Sequence, residues 1–184
     1  MIHLILGGAR SGKSSYAESE ALSSGKAPIY IATATADDKE MKSRIQRHQE
    51  HRRSDWHLIE EPLILSHLIE NYGDKEQIIL IDCMTLWVSN WLCKKEQQVD
   101  GIEWSVEKER FLLALKNSQK DIIVVSNEVG SGIMPLGELT RDFVDRAGWL
   151  NQAIARVADK VTLVVAGIPT PIKTTTKAKL CEGY

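Results

Sequence analysis

A short apolar run, Leu4-Ile5-Leu6, leads straight into Gly7-Gly8-Ala9-Arg10-Ser11-Gly12-Lys13-Ser14, the spacing G-x-x-x-x-G-K-S. Nothing else in the chain constrains the fold as tightly, because this spacing works where a strand ends and a helix begins. Its glycines let backbone N–H groups turn inward around an anion, Lys13 carries charge to the β- and γ-phosphates, and the Ser14 hydroxyl can hold Mg²⁺. The following residues, Ser15 to Leu22, read as a helix whose N-terminal dipole adds to the attraction for phosphate.

A chain of 184 residues supports one domain with a full core and is too short for two sizeable ones. We place that domain at residues 1–168 and read the polar, lysine-bearing remainder, 169–184, as a tail. A net charge of −2 gives no global basic footprint for nucleic acid and no polybasic membrane address, so phosphate affinity must be local. Cys83, Cys93 and Cys181 show no C-x-x-C spacing and leave an odd thiol, which argues against a disulfide framework or a zinc site and points to the cytoplasm. The first strand begins at once, leaving no room for a signal peptide, and no apolar run approaches the length of a membrane span.

Apolar, β-branched runs recur at Ile2–Leu6, Ile29–Ala32, Ile78–Ile81, Ile122–Val125 and Val161–Ala166, and read as buried parallel strands. Helical patterns lie between them, at Ser14–Ser23, Asp38–Arg52, Pro62–Asn71, Thr85–Lys95, Glu103–Ser118 and Leu139–Ala158. This alternation predicts an α/β three-layer sandwich with a mainly parallel sheet and ligands at the carboxyl ends of the strands.

The third run ends in Asp82, where a phosphate-loop enzyme places an acid to orient a metal or its water; the alternative is a helix N-cap before Thr85-Leu86-Trp87. After the second run, Thr35 and Asp38 have capping-box spacing, and Arg44, His48 and Arg52 share one face of the helix that follows. Neighbouring cations disfavour an imidazolium, so His48 is expected to be neutral and able to attack phosphorus while the arginines hold phosphates; a solvated charged face is the plainer alternative. His51 and His57 read as surface residues, and His3 and His67 show no partner pattern. The fourth run leads into Ser126-Asn127-Glu128-Val129-Gly130-Ser131-Gly132, a loop over nucleotide or acceptor, or else a turn whose Asn and Glu satisfy backbone groups. Trp87, Trp91 and Trp149 read as core or subunit contacts.

Taken together, GGARSGKS (Gly7–Ser14), YIATA (Tyr30–Ala34), DDKEMKSRIQRH (Asp37–His48), Trp56 with Glu60 and Pro62, IDCMTLWVSN (Ile81–Asn90), SNEVGSGIMP (Ser126–Pro135) and the Arg141–Gln152 segment resemble one family. It is the bifunctional adenosylcobinamide kinase/adenosylcobinamide-phosphate guanylyltransferase family of cobalamin biosynthesis, and the resemblance runs from Ile2 to about Ile168. It implies a RecA-like P-loop NTPase fold, a homotrimer with interface roles for Trp87 and Trp91, and a corrinoid substrate. It also implies use of GTP, ATP and Mg²⁺, with Lys13 and His48 as catalytic residues and Ser14 and Asp82 at the metal. In the family His48 takes GMP from GTP in a phosphoramidate, and nucleotide contacts fall on Gly7, Gly8, Ala9, Arg10, Ser11, Gly12, Lys13, Ser14, Ala32, Thr33, Ala34, Gln49, Glu50, His51, Arg52, Glu60 and Asp82. Two segments depart from the family pattern: Arg52-Arg53 stands where relatives often show Arg-Pro, and Met134–Leu139 replaces a more polar run.

A plain small-molecule kinase would use Lys13, Ser14 and Asp82 with no need of His48. A GTP-binding switch would want an N-K-x-D element, which this chain lacks; Asp145 and Gly148 match D-x-x-G but lie in a helical pattern far from the third strand. Length and the absence of a basic face disfavour a nucleic-acid motor.

Overall fold

The computed structural model describes residues 1–34, 56–94, 98–99, 101–133 and 135–174. Over these residues the expected alternation is observed: β1 (Ile2–Gly7), α1 (Lys13–Ser23), β2 (Ala27–Ala32), β3 (His57–Glu60), α2 (Leu65–Asn71), β4 (Gln77–Asp82) and α3 (Met84–Cys93). A two-residue-stranded hairpin, β5 (Gln98–Val99) and β6 (Ile102–Glu103), precedes α4 (Trp104–Asn117), β7 (Asp121–Asn127), α5 (Glu138–Val157), β8 (Lys160–Val165) and β9 (Ile168–Lys173). The main sheet runs β3-β2-β4-β7-β1-β8-β9, with every pairing parallel except β8 with β9. The phosphate-loop strand β1 is therefore central, hydrogen-bonded on both edges.

Side chains that alternate along each strand divide the interior in two. Leu4, Leu6, Ile79, Ile81, Ile122 and Val124 face a large core that also takes residues of α2, α3, α4 and α5. Their neighbours Ile5, Ile78, Leu80, Ile123 and Val125 face a second cluster with Ala17 and Ala21 of α1. Helices on both faces give the three-layer α/β sandwich. Trp87, fully buried, packs against Trp104 and Phe111 with ring centroids 4.8 and 5.0 Å apart. The indoles of Trp87 and Trp91 both donate to the Leu63 carbonyl, at 2.7 and 3.2 Å. These two tryptophans are core of a single subunit, which corrects the expectation of interface roles, while Trp149 is 64% exposed.

Other differences from the expected elements have local causes. The helix expected from Pro62 starts at Leu65, because Glu61 Oε1 first accepts the N–H groups of Leu63 and Ile64, both at 2.8 Å. His57–Glu60, too short and mixed to stand out as a strand, becomes one by pairing with β2. His3 is not without a partner: its Nε2 lies 2.8 Å from Thr162 Oγ1 and its ring meets Tyr16 edge-on, and burial holds its pKa down.

The expected tail from 169 is partly sheet. Ala166 and Gly167, with φ of 51° and 79°, form a two-residue turn that folds β9 back on β8. In such a hairpin Val165–Ile168 and Leu163–Thr170 are the bonded pairs, so Pro169 and Pro171 occupy the positions whose N–H would face outward. An outer edge without those donors is a poor template for another strand. Lys173 then donates to the Ala155 and Ala158 carbonyls at 2.8 and 2.6 Å, closing the C-terminus of α5. Lys120 does the same for α2, through Ile69 O and Tyr72 O at 2.5 and 2.6 Å.

Glu107 of α4 is wholly buried and binds Ser66 of α2 twice, from the backbone N–H and the hydroxyl, each at 2.8 Å. Glu107→Ala leaves a buried donor unpaired and should cost about 1–3 kcal/mol, read as a lower urea midpoint. Burial pushes the Glu107 carboxyl above its ordinary range. Its contribution to stability is therefore fullest at acid pH and lost as pH rises through the shifted value, a fall that Glu107→Ala should lack.

Candidate functional site

The loop from Gly7 to Ser14 is built by backbone geometry. Arg10 and Gly12 take left-handed φ of 57° and 92°, which swings successive peptide N–H groups toward one side. Ser11 N–H donates to Gly8 O at 3.2 Å and closes the turn, and Lys13 is buried with Nζ donating to that same carbonyl at 3.2 Å. Gly7 has no room for a side chain: a Cβ there would lie 2.7 Å from Val164 O and 2.4 Å from Ser11 Oγ. The β8–β9 turn supports the loop from outside, with Gly167 N–H donating to Ser11 O at 2.8 Å. Gly167 Cα sits 3.1 Å from where a Cβ on Gly12 would be. Sequence reading missed this support, because nothing local to Ala166-Gly167 says which loop the turn will meet.

Parallel register gathers the remaining candidates. Ala32 pairs with Glu60 on one side and Asp82 on the other, Asp82 lies opposite Val125, and Gly7 lies opposite Asn127. Glu60, Ala32, Thr33, Ala34, Asp82 and Gly7–Ser14 thus share the carboxyl edge of the sheet, as parallel strands with crossover helices dictate. His48, Gln49, Glu50, His51 and Arg52 lie outside the described residues, as does the helix expected at 38–52.

Asp82 is held by a residue whose role the sequence did not signal: Tyr30 OH donates to Asp82 Oδ2 at 3.0 Å. The N-cap position of α3 belongs to Cys83, and among the described residues no side chain caps that helix, so Asp82 is not its cap. Thr33 Oγ1 both accepts from Cys83 N–H and donates to Cys83 O, each at 2.8 Å. Asn90 Nδ2 donates to Thr33 O at 2.7 Å and Pro62 O at 3.0 Å. Farther along the edge, Asn151 donates to Asn127 O at 3.1 Å and Asn127 Nδ2 to Thr85 Oγ1 at 2.6 Å. Burial, with the Asp82 charge adding, pushes the Cys83 thiol up to about 11, so it is a neutral packing group rather than a nucleophile.

The strand order, the glycine-built anion loop and an acid two strands away define a P-loop nucleotide-binding protein of the RecA-like α/β type. RadB recombinase shares the fold at a TM-score of 0.50 and 15% identity, over 88% of this chain and 73% of that one. So does a protein of Pyrococcus horikoshii OT3, at a TM-score of 0.52 and 9% identity, over 96% and 87%. Residues 3–172 match the family model described as cobinamide kinase / cobinamide phosphate guanyltransferase, and the chain belongs to that family. It is 49% identical to the bifunctional adenosylcobalamin biosynthesis protein CobP of Pseudomonas aeruginosa, over 94% of this chain and 98% of that protein. The similarly named CobU proteins of Escherichia coli K12 and Salmonella typhimurium are 36% and 38% identical, over 94% of this chain and 100% of each relative.

The loop geometry separates its two adjacent glycines. Gly7→Ala forces a Cβ against a backbone carbonyl and should cost about 1–3 kcal/mol, lowering Tm by several degrees. Gly8→Ala meets nothing within 4 Å and should melt within about one degree of the parent. Equal melting points for the two variants would contradict the packing described.

Proposed function

We propose that this protein phosphorylates the hydroxyl on the aminopropanol arm of adenosylcobinamide with ATP or GTP. It then transfers GMP from GTP, through a guanylylated His48, to give adenosylcobinamide-GDP. The observation that carries the reading is a fully built phosphate loop sharing one sheet edge with Asp82, in a chain whose family is described by those two activities. Near full-length likeness to relatives named as bifunctional supports both steps over a kinase step alone.

Phosphoryl transfer leaves little covalent work to the protein, so catalysis is mostly positioning and charge stabilisation. Backbone N–H groups of Gly7 to Ser14 cradle the phosphates, and Lys13 stabilises the charge that develops on the transferred group. Ala32, Thr33, Ala34, Glu60 and the segment Gln49–Arg52 contribute further nucleotide contacts. A hydroxyl and a carboxylate, Ser14 and Asp82, are hard oxygen donors of the kind Mg²⁺ takes alongside substrate phosphates and water. Tyr30 engages one Asp82 oxygen and leaves the carboxylate a second for that role. Mg²⁺ held there would supply neutralisation of the phosphate charge.

His48 rests on the sequence pattern, with Arg44 and Arg52 four residues to either side of it. Its imidazole forms the P–N bond to the α-phosphorus as pyrophosphate leaves, and the product phosphate of the first step then displaces it. A homotrimer, by family resemblance, is the expected assembly. Among the described residues no helix is long and apolar enough to cross a membrane.

Incubation with α-labelled GTP and Mg²⁺ should leave acid-labile, base-stable label on the protein, whereas γ-labelled GTP should leave none by this route. His48→Ala should lose the label and the guanylyl transfer but retain kinase activity, and undiminished labelling would overturn the assignment, with His51 the next residue to test. Lys13→Ala should keep the fold and lose both activities, because a buried cation worth several kcal/mol of transition-state stabilisation is removed. Asp82→Asn should lower kcat/KM for nucleotide more than tenfold, about 1.4 kcal/mol; an unchanged value would remove Asp82 from the site.

A further inference from the structure

The kinase step frees a proton from the acceptor hydroxyl, and none of the residues assigned so far takes it. The receiving group must lie within about 3 Å of that oxygen while the oxygen approaches the γ-phosphorus above the phosphate loop. Strand order limits the carboxylates that qualify. Neighbouring strands are about 4.8 Å apart, so Glu60 on β3, four strands from β1, is about 19 Å away along the edge. Glu61 directly follows Glu60 at the end of the same outer strand, and so lies at the same far side of the edge. Asp82 on β4 is two strands away, about 10 Å, and its open oxygen is the one assigned above to Mg²⁺.

Glu128 directly follows β7, the immediate neighbour of β1, and is joined to the loop itself. Its N–H donates to Gly7 O at 3.1 Å, while the next carbonyl, Gly8 O, receives Lys13 Nζ at 3.2 Å. The backbone of Glu128 and the ammonium of Lys13 are thus fixed to consecutive peptides. The Glu128 side chain is fixed as well: Oε1 accepts Gly130 N–H at 2.8 Å and lies 3.4 Å from Ser131 Oγ. Among the described residues no group hydrogen-bonds to Oε2. One carboxylate oxygen is therefore anchored and the other remains an acceptor, one strand from the phosphate loop.

We propose that Glu128 is the general base of the kinase step, a reading that rests on the function proposed above. Its carboxylate takes the proton from the acceptor O–H. The acceptor oxygen bonds to the γ-phosphorus, the bond from that phosphorus to the β,γ-bridging oxygen breaks, and nucleoside diphosphate leaves with the bridging electrons. The proton on Glu128 then passes to solvent. The glycines at 130 and 132 suit this placement, since a loop with little side-chain bulk lets a large acceptor come close to the carboxylate.

The test compares wild type, Glu128→Gln and Glu128→Asp in two assays: phosphorylation of adenosylcobinamide by γ-labelled ATP, and guanylylation of the protein by α-labelled GTP. Glu128→Gln should lower kcat of phosphorylation by about 10²- to 10⁴-fold, with KM for ATP and acceptor within threefold, and Glu128→Asp should recover part of the loss. Guanylylation involves no hydroxyl proton, so the label on Glu128→Gln should stay within twofold of wild type. A fall in kcat of less than tenfold overturns the proposal, as does a loss restored by excess Mg²⁺, which would make Glu128 a metal ligand. Parallel loss of the guanylyl label also overturns it, by showing a disturbed phosphate loop. A wild-type protein that phosphorylates no cobinamide removes the proposed function and this inference with it. An active wild type beside an equally active Glu128→Gln removes only the inference.

Discussion

Two consecutive carbonyls, those of Gly7 and Gly8, tie the site to the sheet. Gly7 O takes the N–H of Glu128 from β7's end, and Gly8 O takes both Ser11 N–H and Lys13 Nζ. With a Cβ at position 7 the strand would be pushed off Val164 O, and these bonds would misalign together. The absence of one methyl group therefore lets β1 stay in register with both neighbours up to its last residue. That register sets where the helix dipole, the ammonium and the surrounding loops meet.

The rest of the architecture keeps that register rigid. Parallel strands buried on both faces have no freedom to slip, because a shift by one residue would exchange Leu4 and Leu6 for Ile5 between two differently filled cores. Charged groups secure the periphery. Lys120 and Lys173 each neutralise a helix C-terminus, and Glu107 pins the start of α2 to α4. The β8–β9 hairpin has two functions. Its prolines remove two outward donors from the sheet edge, and its turn holds the phosphate loop through Gly167.

Along the carboxyl edge, polar side chains mostly bind backbone. Thr33 clamps the peptide after Asp82, Asn90 clamps Thr33, and Asn151 holds the end of β7. Such bonds fix main-chain positions in a low-dielectric setting, and preorganisation of this kind is what phosphoryl transfer demands of a protein. Among the described residues Ser11 Oγ, which is buried beside Gly7, has no hydrogen-bond partner. The edge thus combines rigid backbone with ionic groups distributed over several strand ends, among them Arg10, Lys13, Glu60, Asp82 and Glu128.

Patterns confined to a few neighbouring residues were legible in the sequence: the phosphate loop, five parallel strands, those of their helices that fall in the described residues, and Asp82 at a strand's end. Each is set by local chemistry, whether glycine spacing, β-branched runs or helical periodicity. His57–Glu60 and Ile168–Lys173 were not legible as strands, since short segments interrupted by polar residues or proline gain strand geometry only from the neighbour they bond. The same reason hid Tyr30 as the partner of Asp82, and Gly167 as the support of Ser11, from any reading along the chain. The burial of Trp87 and Trp91 was equally ambiguous, because an indole suits a core and an interface alike until its N–H finds a carbonyl, here that of Leu63. The sequence alone determined which chemical groups this protein has and which strand carries the glycine-rich loop into a helix. Tertiary structure decided which groups face one another, because strand order and register depend on contacts between residues far apart in the chain.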